Sequence, residues 1–198
     1  MFYYIKQSVL SLFYLITMSV TAACICIIQN DALLWLKIIL GILNLSVYIA
    51  LVGMASFKDG EKAMKVRNAN DLERQLIVKT GEYRPLNLAE EYKPWKGFIF
   101  GFITCIPLIA LLIAHAIVTA VNPAQVICGN FAAWIYMLVY CFNGFNLNMI
   151  LPASTFYFSL LALPVIVLST GIPYLLGGRR VEKAQRKIEE KRLEIYGK

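Results

Sequence analysis

Hydrophobic and polar positions in this chain fall in long blocks instead of interleaving. Four blocks, residues 8–28, 32–57, 97–121 and 155–176, are apolar nearly throughout. Each reaches the length of about 20 helical residues needed to cross a hydrocarbon core of about 30 Å. The hydrophobicity is continuous and does not alternate, which predicts helices and not barrel strands. A fifth apolar block, residues 126–142, has only 17 residues and carries Asn130. Gln29, Asn30 and Asp31 alone separate the first two blocks, predicting a tight antiparallel helical hairpin. The expected fold class is therefore an all-α integral membrane protein. Its parts are an N-terminal transmembrane hairpin (1–57), a charged loop with a short helix (58–96), an uncharged membrane-embedded segment (97–178) and a basic amphipathic tail (179–198).

Composition strengthens that expectation. Of 198 residues, 59% are hydrophobic and 16% charged, against roughly 25% charged in average soluble domains. Between Lys96 and Arg179 lie 82 residues without one Asp, Glu, Lys or Arg, more apolar surface than a soluble fold of this size can cover. The segment 58–96 holds nine of the nineteen basic residues and the tail after Gly178 holds eight. Cytoplasmic segments are enriched in Lys and Arg. Five crossings would divide the basic residues ten to nine, whereas four with the N-terminus inside place eighteen inside and only Lys37 outside. The charge pattern thus predicts four full transmembrane helices, with 126–142 as a re-entrant or oblique element on the outer side. Five transmembrane helices are the alternative. The N-terminus, the 58–96 loop and the tail are expected in the cytoplasm, and the plasma membrane is the expected location.

Thr21-Ala22-Ala23-Cys24 bears a faint similarity to a lipoprotein cleavage site. Thr21 stands where a large aliphatic belongs, and the apolar run continues past Cys24, so the first block is expected to stay as a span.

The charged segments carry helix signals. Asn70-Asp71-Leu72-Glu73 predicts a helix start, with Asn70 as N-cap and Glu73 at the capping-box position, and Gly81 is the expected C-cap. Val66, Leu72 and Leu76 form an apolar stripe in this region. Tyr92, Trp95 and Phe98 alternate with Lys93 and Lys96, a pattern expected to anchor the third span at the interface through amphipathic rings and snorkelling lysines. In the tail, Val181, Ala184, Ile188 and Ile195 share one helical face, and Glu182 and Arg186 form an i,i+4 pair. A basic helix beside a span favours an anionic cytoplasmic leaflet. Docking of a protein partner through 58–96 and 179–198 is the functional reading of these segments. Nucleic acid is not an expected partner, because the charge is membrane-proximal and largely compensated.

Candidate chemistry is sparse. Asp59-Gly60 with Ala63 matches the start of the CDP-alcohol phosphotransferase motif, but the arginine after the alanine and the later paired aspartates are missing. Asn122-Pro123-Ala124 fits a helix start, with Asn122 as cap and Pro123 at the first helical position. Cys24, Cys26, Cys105, Cys128 and Cys141 include no C-x-x-C pair and lie in apolar segments as small hydrophobes. The lone histidine, His115, falls deep in the third span, where an ionisable residue is a functional candidate. Around the fifth block gather amides and phenols, of which His115, Asn130, Tyr140, Asn143, Asn146 and Asn148 are the candidates for a neutral polar pocket. Three small-residue pairs in the third span, Gly97/Gly101, Ala110/Ala114 and Ala116/Ala120, are expected at helix-packing surfaces.

No catalytic, cofactor-binding or metal-binding constellation is expected. The sequence points to a small polytopic membrane protein acting as a non-catalytic subunit, or as an assembly or regulatory component, of a membrane complex. The alternative is a transport component, a substrate-binding or permease-like subunit for a neutral or zwitterionic small solute.

Overall fold

A computed structural model of the chain describes residues 2–26, 34–83, 85–121 and 162–197. The described residues are helical, with no strand among them: α1 (Phe2–Cys26), α2 (Leu34–Thr80), α3 (Lys96–Val121) and α4 (Ala162–Tyr196). Two of these helices, α2 from Ile39 onward and α4, contain stretches long and apolar enough to cross a membrane. The 126–142 element, the 29–31 turn and the candidate residues Asn130, Tyr140, Asn143, Asn146 and Asn148 lie outside the described residues. So do the first residues of the fourth apolar block.

The short helix expected to begin at Asn70 is instead the end of α2, which runs through 47 residues without a break. Residues 58–80 contain no proline, and most are good helix formers, so the helix propagates out of the apolar block instead of restarting. Asn70 is consequently not a cap. Gly81 does end the helix: its φ is 72° and its N–H donates to the Ile77 carbonyl at 2.8 Å, a left-handed termination that a β-carbon disfavours. The tail behaves like the loop helix. α4 passes from the fourth apolar block through Gly177 and Gly178 into the charged tail as one helix. The boundaries drawn at 57/58 and 178/179 therefore fall inside continuous helices.

In the apolar part of the bundle, many large apolar side chains face outward and several small polar ones are buried beside the apolar core. Phe13, Val20, Ile39, Ile42, Leu43, Phe102, Ile106 and Ile113 point outward. Ser8, Ser11, Asn44, Ser56, Thr104, Ser169 and Thr170 are buried. Where the surroundings are as apolar as leucine, close packing and interhelical hydrogen bonds hold helices together. Thr21 Oγ1 donates to Asn44 Oδ1 at 2.7 Å, and Asn44 Nδ2 donates to the Met18 carbonyl at 3.0 Å, which joins α1 to α2. Ser8 Oγ lies 3.2 Å from the Phe100 carbonyl and so joins α1 to α3.

Two apolar clusters fill the bundle. Leu15, Tyr48, Val52, Cys105, Leu108 and Ile166 pack within the apolar blocks. Ala63, Met64, Tyr92, Phe100 and Tyr174 pack at the end where the chain becomes charged. Between them α2 and α4 cross at very close range. A β-carbon at Gly60 would overlap the Tyr174 carbonyl, and one at Gly177 would overlap the Phe57 carbonyl. On α3, Gly97 faces the Tyr174 side chain and Gly101 faces Thr170 and the Val167 backbone of α4. Ala110, Ala114, Ala116 and Ala120 are exposed.

Candidate functional site

Three features stand out at the charged end of the bundle: a caged lysine, a small polar chamber and a projecting helical surface.

Lys96 begins α3 and is 1% exposed. The expectation that it snorkels toward an interface is overturned. Its ammonium turns inward and donates to the carbonyls of Ala89 at 2.7 Å and Glu91 at 2.6 Å. It also lies 5.7 Å from the ring centres of both Tyr3 and Tyr4. Two short charge-assisted hydrogen bonds and two ring faces replace the water it loses. Desolvation nevertheless holds its pKa below the usual lysine value, with Lys93 adding to the effect. Trp95 keeps the exposed position expected of it, with Lys93 Nζ 5.6 Å above its ring.

The lysine thereby fastens the connection from α2 to α3. Other ties act on the same segment. Asn70, buried in the last third of α2, donates to the Asn87 carbonyl and accepts from the Asn87 N–H, both at 3.2 Å. Arg74 reaches Asp71 at 2.6 Å and Glu91 at 3.0 Å. The Tyr92 N–H donates to the Ala63 carbonyl at 3.1 Å, and its ring stacks on Tyr174 at 5.4 Å with 6° between planes. The connection is thus strapped along α2 through Asn87, Glu91 and Tyr92.

The chamber lies beside this knot. Gln7 and Ser11 of α1, Ser56 and Asp59 of α2, and Thr170 of α4 line it, with Phe100 of α3 closing one side. Its cavity volume is about 10 Å³, the least that holds one water-sized occupant. Asp59 Oδ2 and Ser11 Oγ are shut off from solvent and have no hydrogen-bond partner among the described residues. The Tyr48 hydroxyl lies near Ser11 and Ser169, without reaching hydrogen-bond geometry. Burial raises the Asp59 carboxyl to about 6, and Lys62 offsets part of that rise.

The projecting surface is made by the charged lengths of α2 and α4. They are held together by Arg180 to Glu61 at 3.1 Å and by Asn68 to Gln185. Val181 packs against the lower cluster. Seven and fourteen residues further along the same face, Ile188 and Ile195 are 55% and 69% exposed. On α2, Leu72 and Val78 are 63% and 85% exposed.

Of the sequence candidates, Gly97 and Gly101 are brought against α4. His115 lies on the α3 backbone, and the surroundings of its side chain fall outside the described residues. Sequence reasoning met Asp59 only within an incomplete phosphotransferase motif and did not carry it forward as a site residue, since the rest of that motif is missing and Asp59 is otherwise one of sixteen charges in a mixed segment. Its proximity to the last apolar residues of its block was the available signal. The chain matches no family model, no curated protein and no solved structure.

Proposed function

We propose that this chain is a four-span membrane protein that acts as a non-catalytic subunit, or as an assembly or regulatory component, of a membrane complex. On this reading the N-terminus, the 58–96 segment and the tail face the cytoplasm of a plasma membrane. It holds its partner through the projecting ends of α2 and α4. The observation that carries the reading is the continuity of one helical face. Val181 is partly covered by packing on the lower cluster, while Ile188 and Ile195 on the same face are exposed. Contiguous uncovered apolar surface rimmed by charge is the mark of a protein contact, and burying an isoleucine stabilises by about 1.5–3 kcal/mol. The outward apolar side chains of the bundle suit a lipid environment, and the basic asymmetry of the sequence suits the proposed orientation.

The test is a photo-crosslinking residue placed at Ile188 or Ile195 of the full chain in native membranes. A single protein adduct, lost in I188E with membrane abundance unchanged, is expected. Adducts to lipid alone at both positions would refute docking through this face.

A further inference from the structure

We infer that the chamber bounded by Asp59 and Ser11 is a binding site for one monovalent metal cation, of which sodium is the best fit. Three observations converge on it. The first is the pair of polar atoms turned into the chamber without partners, Asp59 Oδ2 and Ser11 Oγ, on a serine that is only 7% exposed. A buried hydroxyl and carboxylate oxygen left unpaired cost free energy that a bound ligand recovers.

The second is the donor set. The polar side chains on the wall all carry oxygen: the Asp59 carboxylate, the hydroxyls of Ser11, Ser56 and Thr170, the Tyr14 phenol and the Gln7 amide. Thr170 Oγ1 donates its proton toward the Ile166 and Val167 carbonyls, at 3.2 and 3.0 Å, which leaves its lone pairs for a ligand. Hard cations take such oxygens, whereas softer metals prefer imidazole and thiolate.

The third is charge. Among the described residues no ion pair involves Asp59. Lys62, on its own helix, reaches Glu90 at 3.8 Å and is mostly exposed. Tyr3 of α1 and Tyr174 of α4 lie near Asp59 and are neutral, and the Tyr14 phenol of α1 lines the same chamber. The one charge at the start of α3, Lys96, is engaged by the Ala89 and Glu91 carbonyls. A single cation balances the single carboxylate. A divalent ion would leave an uncompensated charge in a medium that penalises it. A water would leave the carboxylate itself uncompensated. The chamber is at the lower limit of room for one water, so it favours sodium, which is smaller than a water, over potassium, which is about as large as one.

The full chain, purified in detergent, tests this through its unfolding midpoint at pH 7.5. Sodium chloride is titrated against choline chloride at constant ionic strength, with potassium chloride in parallel. A saturable rise with sodium, smaller with potassium and absent with choline, is expected. D59N abolishes the response, and S11A raises the half-saturating sodium concentration about tenfold. If D59N fails to fold, the S11A shift decides. A midpoint that is the same in sodium and choline, as a chamber filled only by water would give, overturns the proposal. So does a sodium response that survives in D59N or is unmoved in S11A.

Discussion

Gly60 and Gly177 are reciprocal contacts. Each abuts the other helix's backbone at the residue three positions before the opposing glycine, Tyr174 for Gly60 and Phe57 for Gly177. The contact lets α2 and α4 approach backbone to backbone at the level where both leave the apolar blocks. It also sets the position of Arg180 over the Phe57 ring, 5.8 Å from its centre, and beside Glu61. An alanine at either glycine must push the two helices apart. G60A and G177A are each expected to destabilise the detergent-solubilised chain by roughly 1–3 kcal/mol, the usual cost of overpacking. A matched G81A measures the separate effect of a left-handed termination and should cost about 1 kcal/mol. Chemical unfolding monitored by far-ultraviolet circular dichroism reads all three. Equal, negligible effects at 60 and 177 would remove the close crossing.

Asn70 holds Asn87 by a two-way amide contact. N70A loses both hydrogen bonds and leaves the Asn87 backbone groups to find water, at a cost of about 1–2 kcal/mol. The expected sign is local: glutamyl endopeptidase cuts after Glu82, Glu90 or Glu91 faster in N70A than in the parent chain. Unchanged cleavage would mean that the other ties suffice.

Lys96 is the second fastening. K96M keeps much of the stem's packing but abandons the Ala89 and Glu91 carbonyls, so hydrogen exchange of residues 85–95 should accelerate at least tenfold, the equivalent of about 1.4 kcal/mol. Adding R74A to K96M should accelerate it further, because Arg74 holds the Glu91 carboxylate while Lys96 holds the Ala89 and Glu91 carbonyls. An exposed snorkelling lysine would give no such change.

Asp59 makes stability depend on pH. A carboxyl whose folded pKa of about 6 lies above its free value near 3.8 holds its proton more tightly in the folded chain. Its favourable contribution is therefore complete below about pH 3.8 and is lost as pH rises through about 6. In sodium-free choline buffer, D59N should unfold at a higher temperature than the parent chain at pH 8. The difference should shrink as pH falls through about 6 and vanish below about pH 3.8. The reverse order at pH 8 would place a counter-charge at Asp59 that the geometry does not show.

Much of the fold was legible before any coordinates. The apolar blocks appear as the helical lengths of α1, α2 and α3, because hydropathy and helix propensity belong to the segment itself. Gly81 was readable as a terminator for the same reason, since a glycine after a run of helix formers is a local signal. Asn70 was misread because a capping pattern is equally compatible with a helix already under way. Nothing local reveals whether the preceding residues are helical. Lys96 was misread by a related route: an aromatic and lysine mixture beside a span describes an interface well, but the side chain's direction depends on carbonyls in a connection that folds back.

What the sequence by itself determined, then, is the succession of elements: apolar helices, the charged lengths that continue them and the uneven distribution of basic residues. The tertiary structure alone decided which glycines lie at the crossing, which lysine is caged and that Asp59 opens into a chamber rather than into solvent. Those outcomes require partners far away in the chain, such as Ser8 with Phe100, separated by 92 positions, or Asn68 with Gln185, separated by 117. A polar side chain's environment is set by the helices packed around it, and that packing is not encoded in the few residues on either side.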